Sequence, residues 1–359
     1  MTAATAAAPV VIIGGAGFVG CNLARSFLAD GARVLIADNL SRHGVSQNLA
    51  WLQGLAPDDR LRFLRADITD AATMTEAVAD ARAVFCLAAQ TAVTTSLEHP
   101  MADFRTNVLG TLNVLEAMRR SGRRVPLIFA STNKVYGALE HVEMVAADAG
   151  YFPADPDLSA HGISEEQRLD FCTPYGCSKG AADQYVLDYC ASFGLPTAVL
   201  RMSCIYGPRQ FGTEDQGWVA HFLIQALADQ PITVYGDGQQ VRDILFVDDA
   251  VAAYRALLDN IDELQGRAFN LGGGPANAVS VNTVLTEIER LVGRKPATTY
   301  DEWRQGDQLY FAADTRQLAA AVAWQPRVGW RDGLKRLMDW IVANRRSASV
   351  DATRRRAVA

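Results

Sequence analysis

No run in the 359-residue chain approaches the roughly 20 consecutive apolar residues that cross a bilayer. The opening stretch, Met1 to Pro9, lacks the basic start and apolar core of a secretion signal and reads as a short disordered Ala/Thr-rich lead. A net charge of −6 gives no electrostatic reason to expect nucleic acid or an anionic membrane as partner. The six cysteines include no CxxC pair and lie scattered, mostly in apolar or helical segments. That pattern disfavours disulfides and zinc and predicts reduced thiols in the cytoplasm. No metal site is expected and no internal repeat is found. What is abundant is core material: 49% of residues are hydrophobic and 21% charged, the balance of a soluble globular protein.

The first half alternates short branched runs with helical patterns. Val10 to Ile13, Val34 to Ala37, Leu61 to Leu64, Ala83 to Leu87 and Leu127 to Ala130 are strand-length, and stretches such as Phe18 to Leu28 and Asn107 to Met118 have helical spacing. Strands alternating with helices imply βαβ units and a parallel sheet buried on both faces. Beyond Leu200, Gly and Pro punctuate the chain and shorter elements dominate. Val241 to Val247 followed by Ala250 to Leu258 reads as one more strand and helix returning to the sheet. The expected fold is therefore α/β, a Rossmann-type doubly wound parallel sheet with a smaller discontinuous C-terminal substrate domain. Its boundaries are 1–200, with 241–274 returning to it, against 201–240 and 275–359.

Gly14-Gly15-Ala16-Gly17-Phe18-Val19-Gly20 follows the first strand and opens the first helix. Glycines at Gly14, Gly17 and Gly20 suit a tight turn, a close backbone approach to pyrophosphate, and helix–strand packing. The helix N-terminus would supply free N–H groups to the phosphates. Asp38 ends the second strand about 20 residues further on, where an acid grips a ribose 2′-hydroxyl and repels a 2′-phosphate, which favours NAD over NADP. Arg42 weakens that preference slightly. Asp67-Ile68, after the third strand, could meet the adenine, or Asp67 could cap the next helix.

Tyr175 and Lys179 stand four residues apart on one helical face. A free phenol titrates near 10 and is a poor base at neutral pH. A nearby ammonium and a nicotinamide cation would both favour the phenolate, letting Tyr175 take and return a hydroxyl proton. Ser131 and Thr132 end the fifth strand at the sheet's active edge, where a hydroxyl can hold the reacting oxygen against Tyr175; Thr132 is the stronger candidate.

Taken together, Gly14 to Gly20, Leu87-Ala88-Ala89-Gln90, Thr132 with Val135-Tyr136-Gly137, the Tyr175/Lys179 pair and Tyr206-Gly207-Pro208 resemble the nucleotide-sugar epimerases and dehydratases of the extended short-chain dehydrogenase/reductase family. Asp38-Asn39-Leu40-Ser41-Arg42, Thr94-Thr95-Ser96, Ser131 to Gly137, Tyr175 to Gln184 and Arg209-Gln210-Phe211 are similar to the CDP-paratose (CDP-tyvelose) 2-epimerases. The resemblance implies bound NAD, held by the glycine turn, Asp38 to Arg42, Asp67, Ile68, Leu87 to Gln90, Ser131, Tyr175 and Lys179. It also implies a Thr132–Tyr175–Lys179 catalytic set and a C-terminal domain that holds a nucleotide diphosphate. Thr94, Thr132, Asn133, Arg209, Gln210, Arg242 and Asp307 are then candidates near a nucleotide-diphosphate sugar. Arg242 suits the diphosphate because a guanidinium pairs bidentately with phosphate oxygens. Related enzymes are dimers or tetramers, which implies a homo-oligomer.

The related dehydratases carry an Asp-Glu pair after the threonine, and the related decarboxylases a glutamate there. Here Asn133 and Lys134 stand in those places, so loss of water or carbon dioxide is disfavoured. Inversion at C2 of a CDP-sugar is the leading expectation, and a UDP-sugar 4-epimerase is the alternative within the fold. A silent NAD-binding regulator is disfavoured by the intact Thr132, Tyr175 and Lys179.

Overall fold

Strand β1 (Val10–Ile13) is Val-Val-Ile-Ile with every residue buried. Its side chains alternate: Val10 and Ile12 enter one hydrophobic cluster, Val11 and Ile13 another. Two clusters on opposite faces require helices on both sides of the sheet. In this computed structural model residues 8–56 and 59–358 are described, and Met1–Ala7 of the expected lead lie outside them.

The principal sheet contains β1 with β2 (Val34–Asp38), β3 (Leu61–Arg65), β4 (Ala83–Cys86), β5 (Leu127–Thr132), β6 (Thr197–Met202) and a strand at Arg267–Leu271. Every pairing in it is parallel. With β7 (Cys204–Tyr206), β8 (Val241–Phe246) and β9 (Arg267–Leu271) numbered along the chain, the spatial order is β9-β6-β5-β4-β1-β2-β3. The order reverses between β1 and β4, and the carboxyl ends there form the crevice where such sheets bind ligands. The fold is the doubly wound α/β architecture expected, and β2 and β5 run on through Asp38 and Thr132.

One expectation is corrected. Val241–Phe246 is a strand, but it does not return to the principal sheet. It pairs antiparallel with β10 (Ala278–Ser280) and parallel with β7 and β11 (Tyr310–Phe311), forming a second sheet. The return is made instead by the helix Val247–Asp259, which packs Ala250, Ala253, Tyr254 and Leu257 into the cluster beneath β1, and by β9. β8 reads Val-Arg-Asp-Ile-Leu-Phe, an apolar run interrupted by Arg242 and Asp243, and such a run does not reveal which sheet it joins.

A further local feature shapes the site. Pro100–Phe104, a π-helical turn at Arg105–Leu109 and Gly110–Arg120 follow one another as consecutive helical segments. The wide turn presents Asn107, whose amide nitrogen donates to Ser178 Oγ at 2.9 Å and to the Gln90 carbonyl at 3.1 Å, while its oxygen accepts from Gln90 N–H. π-Turns of this kind concentrate at functional sites.

Candidate active site

The glycine turn leaves no room for a side chain at Gly14 or Gly20. A Cβ on Gly14 would lie 2.6 Å from the nitrogen of Ala88, and one on Gly20 would lie 2.4 Å from the Gly14 carbonyl oxygen. Gly14 also holds φ 81°, which side chains resist. The helix Phe18–Ala29 starts at Gly17 with no side-chain cap, so its first N–H groups face outward unpartnered by side chains. Asp38 bridges two loops: Oδ2 accepts Ala16 N–H at 3.0 Å and Oδ1 accepts Leu40 N–H at 2.8 Å. Burial raises its pKa, opposed by those backbone bonds and by Arg42. Gln90 keeps a buried Oε1 with no partner. A cradle closed to Cβ atoms, an acid at the strand end and an orphaned acceptor fit a dinucleotide.

Around that cradle the other candidates divide. Ala88 lies against Gly14, and the Ala89 carbonyl accepts from Arg42 at 3.2 Å. Asn39 donates to Asp67 at 2.9 Å and accepts from Ser41 N–H. Asp67 is not a helix cap: the helix Ala71–Val78 is capped by Asp70, which accepts Ala72 and Thr73 N–H. Ile68 is buried in one hydrophobic cluster, and Leu87, partly buried, packs against the other.

Tyr175 and Lys179 lie near the start of the helix Thr173–Phe193 and are buried, 8% and 3% exposed, so they are no surface pair. Thr132 and Tyr175 line one cavity, and Thr132 favours the ionised phenol. Burial nevertheless raises the phenol's pKa, with Thr132 and Arg42 pulling it back. The expected tuning of Tyr175 by Lys179 is not what the protein groups provide. Lys179 Nζ donates to the Ala130 carbonyl at 2.6 Å and lies 4.0 Å from the Phe129 ring centre, and burial lowers its pKa to about 8. Ser131 lines the cavity, yet its hydroxyl is engaged by Asp183 at 2.7 Å, which pairs with Arg201 through two 3.0 Å bonds.

A cavity of about 380 Å³ is lined at once by Phe18 and Val19 of the first helix, by Thr132 and Tyr175, and by residues of the second sheet. Asn133 lines it, buried, with its amide nitrogen on Gln308 Oε1 at 3.1 Å. Gln210 Nε2 is held by the Ile205 carbonyl at 3.1 Å, leaving a buried Oε1 with no partner. Arg242 is 7% exposed and pairs with Asp307 at 2.6 Å, not with Asp243 at the surface. Arg242 and Lys134 outweigh the burial of Asp307 and hold its carboxyl down at about 2. Thr94 donates to Asp215, a cavity residue, at 2.8 Å.

Arg209 stands apart from the other substrate candidates. Its guanidinium stacks on Trp51 at 4.0 Å and lies 5.7 Å from the Trp340 ring, and it does not line the cavity. Lys134, Trp218, Tyr235, Gln240 and Arg304 also line it, and none of them was expected as a site residue. Gln240 Oε1 and Arg304 Nε are both buried without a partner. Isolated Gln and Arg residues in a Gly-rich stretch carry no spacing signal that could have found them. Among the described residues no cluster of three His, Cys, Asp or Glu could hold a metal.

The model of the NAD-dependent epimerase/dehydratase family matches residues 10–272. The chain belongs to that family. It is 40% identical over 338 residues to a CDP-paratose 2-epimerase of Salmonella typhi, covering 92% of this chain and 98% of the relative. Among solved structures, a Thermus thermophilus UDP-glucose 4-epimerase complexed with NAD superposes with a TM-score of 0.77 at 30% identity, over 92% and 98% of the two chains. A Thermotoga maritima UDP-glucose 4-epimerase with UDP-glucose gives 0.79 at 27% identity, over 94% and 99%. The family's NAD dependence agrees with the cradle around Gly14 and Asp38.

Proposed function

We propose that this family member inverts a carbinol of a nucleotide-diphosphate sugar, at C2 of a CDP-linked sugar, by transient oxidation and re-reduction. The observation that carries the reading is that Thr132 and Tyr175 line one cavity together with the glycine-turn helix and the second sheet. NAD, when bound, supplies the hydride acceptor and donor. Tyr175 Oη takes the carbinol proton and later returns it, Thr132 orients the reacting oxygen, and Lys179 would hold the nicotinamide ribose. The 2-keto sugar turns over between the two transfers and presents its other face.

What else lines the cavity supports inversion over elimination of water. Positions 133 and 134 offer an amide and an ammonium. The cavity's carboxylates are all engaged: Asp307 by Arg242 and Lys134, Asp215 by Thr94 and Arg304, and Glu214 by the Tyr235 hydroxyl. An ionised, paired carboxylate is a poor proton donor. The CDP assignment and the choice of C2 draw on the likeness to the CDP-paratose 2-epimerase. Inversion at C4 of a UDP-sugar is the second reading, supported by the likeness to solved UDP-glucose 4-epimerases.

Within the same proposal, the second sheet and the segments around it hold the nucleotide diphosphate. Exposed Met101, Phe104 and Leu109 on the sheet-flanking segments support a homo-oligomer. The six free cysteines suit the cytoplasm, and among the described residues no helix is long and apolar enough to cross a membrane. Incubation with CDP-, UDP- and GDP-sugars, followed by NMR, tests the reading. Inversion at C2 of a CDP-sugar is expected. Inversion at C4 would move the assignment, and an eliminated keto product or no turnover with any of them would refute it.

A further inference from the structure

Lys134 stands two residues past Thr132, on the 3-10 turn Asn133–Tyr136, and lines the cavity. Its Nζ lies 3.2 Å from the Gly306 carbonyl oxygen and 3.3 Å from Asp307 Oδ1. That same oxygen accepts from Arg242 at 2.6 Å and from the Gln308 N–H at 3.1 Å. Two cations therefore share one carboxylate oxygen, and the trio carries a formal charge of +1 inside the cavity.

One cation would neutralise Asp307, and Arg242 already sits on it at the shorter distance. A second half-buried ammonium adds a desolvation cost that a single shared acceptor does not offset. No other cavity acid serves as its counter-ion, since Glu214 and Asp215 are taken by Tyr235, Thr94 and Arg304. An ammonium has three donors, and the protein uses two of Lys134's. Arg242 likewise directs one nitrogen at the Val241 carbonyl and one at Asp307, leaving donors of its fork over. Excess positive charge with spare donors, in a cavity, calls for an anion with several oxygens.

We infer that Lys134 is a ligand of the substrate's diphosphate, acting beside Arg242, with Asp307 fixing the spacing of the two cations. The inference rests on the nucleotide-sugar reading and adds to it a phosphate contact from the turn that Thr132 caps. The phosphate and the reacting oxygen are thereby gauged from one rigid segment, so a change at Lys134 alters how the sugar is presented to Tyr175.

The test uses the NAD-loaded enzyme and calorimetric titration with CDP, UDP, cytidine and uridine. Wild type should bind one of the two diphosphates at least tenfold more tightly than its nucleoside. Lys134→Met should weaken that diphosphate by ~10–100-fold, the range for a lost charge-assisted bond, and leave the nucleoside unchanged. Lys134→Arg should retain most of the diphosphate affinity. Lys134→Gln takes the place of the Met variant if circular dichroism shows that variant unfolded. A loss under twofold, or a parallel loss for diphosphate and nucleoside, overturns the inference while leaving the nucleotide-sugar reading intact. Wild type that prefers neither diphosphate over its nucleoside removes that reading, and the inference falls with it.

Discussion

Arg209 and Gln210 are chain neighbours that serve opposite sides of one loop: the Arg209 guanidinium stacks on Trp51, while Gln210 lines the cavity with an unpartnered Oε1. Arg209 holds a left-handed φ of 74°, and its carbonyl accepts from Asn48, which also donates to Ala16 of the glycine turn. Asn22 ties Pro208 to the same helix start. Arg209→Ala should cost about 1–3 kcal/mol in urea unfolding, from lost stacking and stem packing. It should also raise KM, because Gln210 is no longer held. An unchanged unfolding midpoint with raised KM would instead mark Arg209 as a direct substrate contact.

In the proposed reaction Tyr175→Phe removes the proton carrier and little else, since the ring stays buried. Turnover should fall by about 10²–10⁴-fold, the usual contribution of a positioned acid–base group. The NAD content of the purified variant, read by absorbance after heat release, should match wild type. Turnover within tenfold of wild type would assign the proton transfer elsewhere.

Lys179 gives a pH signature. Burial lowers its pKa from an ordinary 10.5 to about 8. Below about 8 both folded and unfolded chains bind the proton, and the fold carries the whole cost of the buried charge. Between about 8 and 10.5 the unfolded chain holds more protons, so this group makes stability rise with pH across that window. Lys179→Met should flatten the rise and stabilise the fold at pH 7 by about 1–2 kcal/mol, after allowing for the lost bond to Ala130. Turnover should collapse at the same time. Denaturation at several pH values checks the sign.

Arg201 and Asp183 form a two-bond ion pair under Ser131, 5% and 0% exposed at their side chains. Arg201→Met strands a buried carboxylate and should cost about 3–5 kcal/mol. The double change with Asp183→Asn should recover part of that loss, in urea unfolding. If the single variant loses under 1 kcal/mol, the pair does not anchor the end of β5.

Where local chemistry and periodicity agree, the sequence is sufficient. Val-Val-Ile-Ile before a glycine turn that opens a helix reads as a buried strand feeding a phosphate site, and the principal sheet and NAD dependence agree with it. Where two local solutions are equal, it is not. Asp67 and Asp70 are each followed by a threonine within three residues, and only tertiary position makes Asp70 the cap. β9 was invisible because Arg267 and Asn270 interrupt it, and Asn270 is spoken for by the Tyr136 hydroxyl across the fold. The side-chain direction of Arg209 was not legible because it depends on a positive φ and on Trp51 and Trp340, remote in sequence. Lys134 was noticed only for what it is not, a carboxylic acid, since its partners lie more than 100 residues away.

The widened turn at Arg105–Leu109 sets the phase between two jobs of one rod. Upstream, Asp103 and Asn107 face the amides and hydroxyls around Gln90 and Ser178; downstream, Val114, Leu115 and Met118 face the sheet. A regular helix advances about 100° per residue, so removing a single residue between 105 and 109 would swing one of these faces a quarter turn out of alignment. The chain could then keep its core or its polar tie to the cofactor loop, but not both, which makes a shortened turn a sensitive probe of how far the sheet's packing and the site's geometry depend on each other.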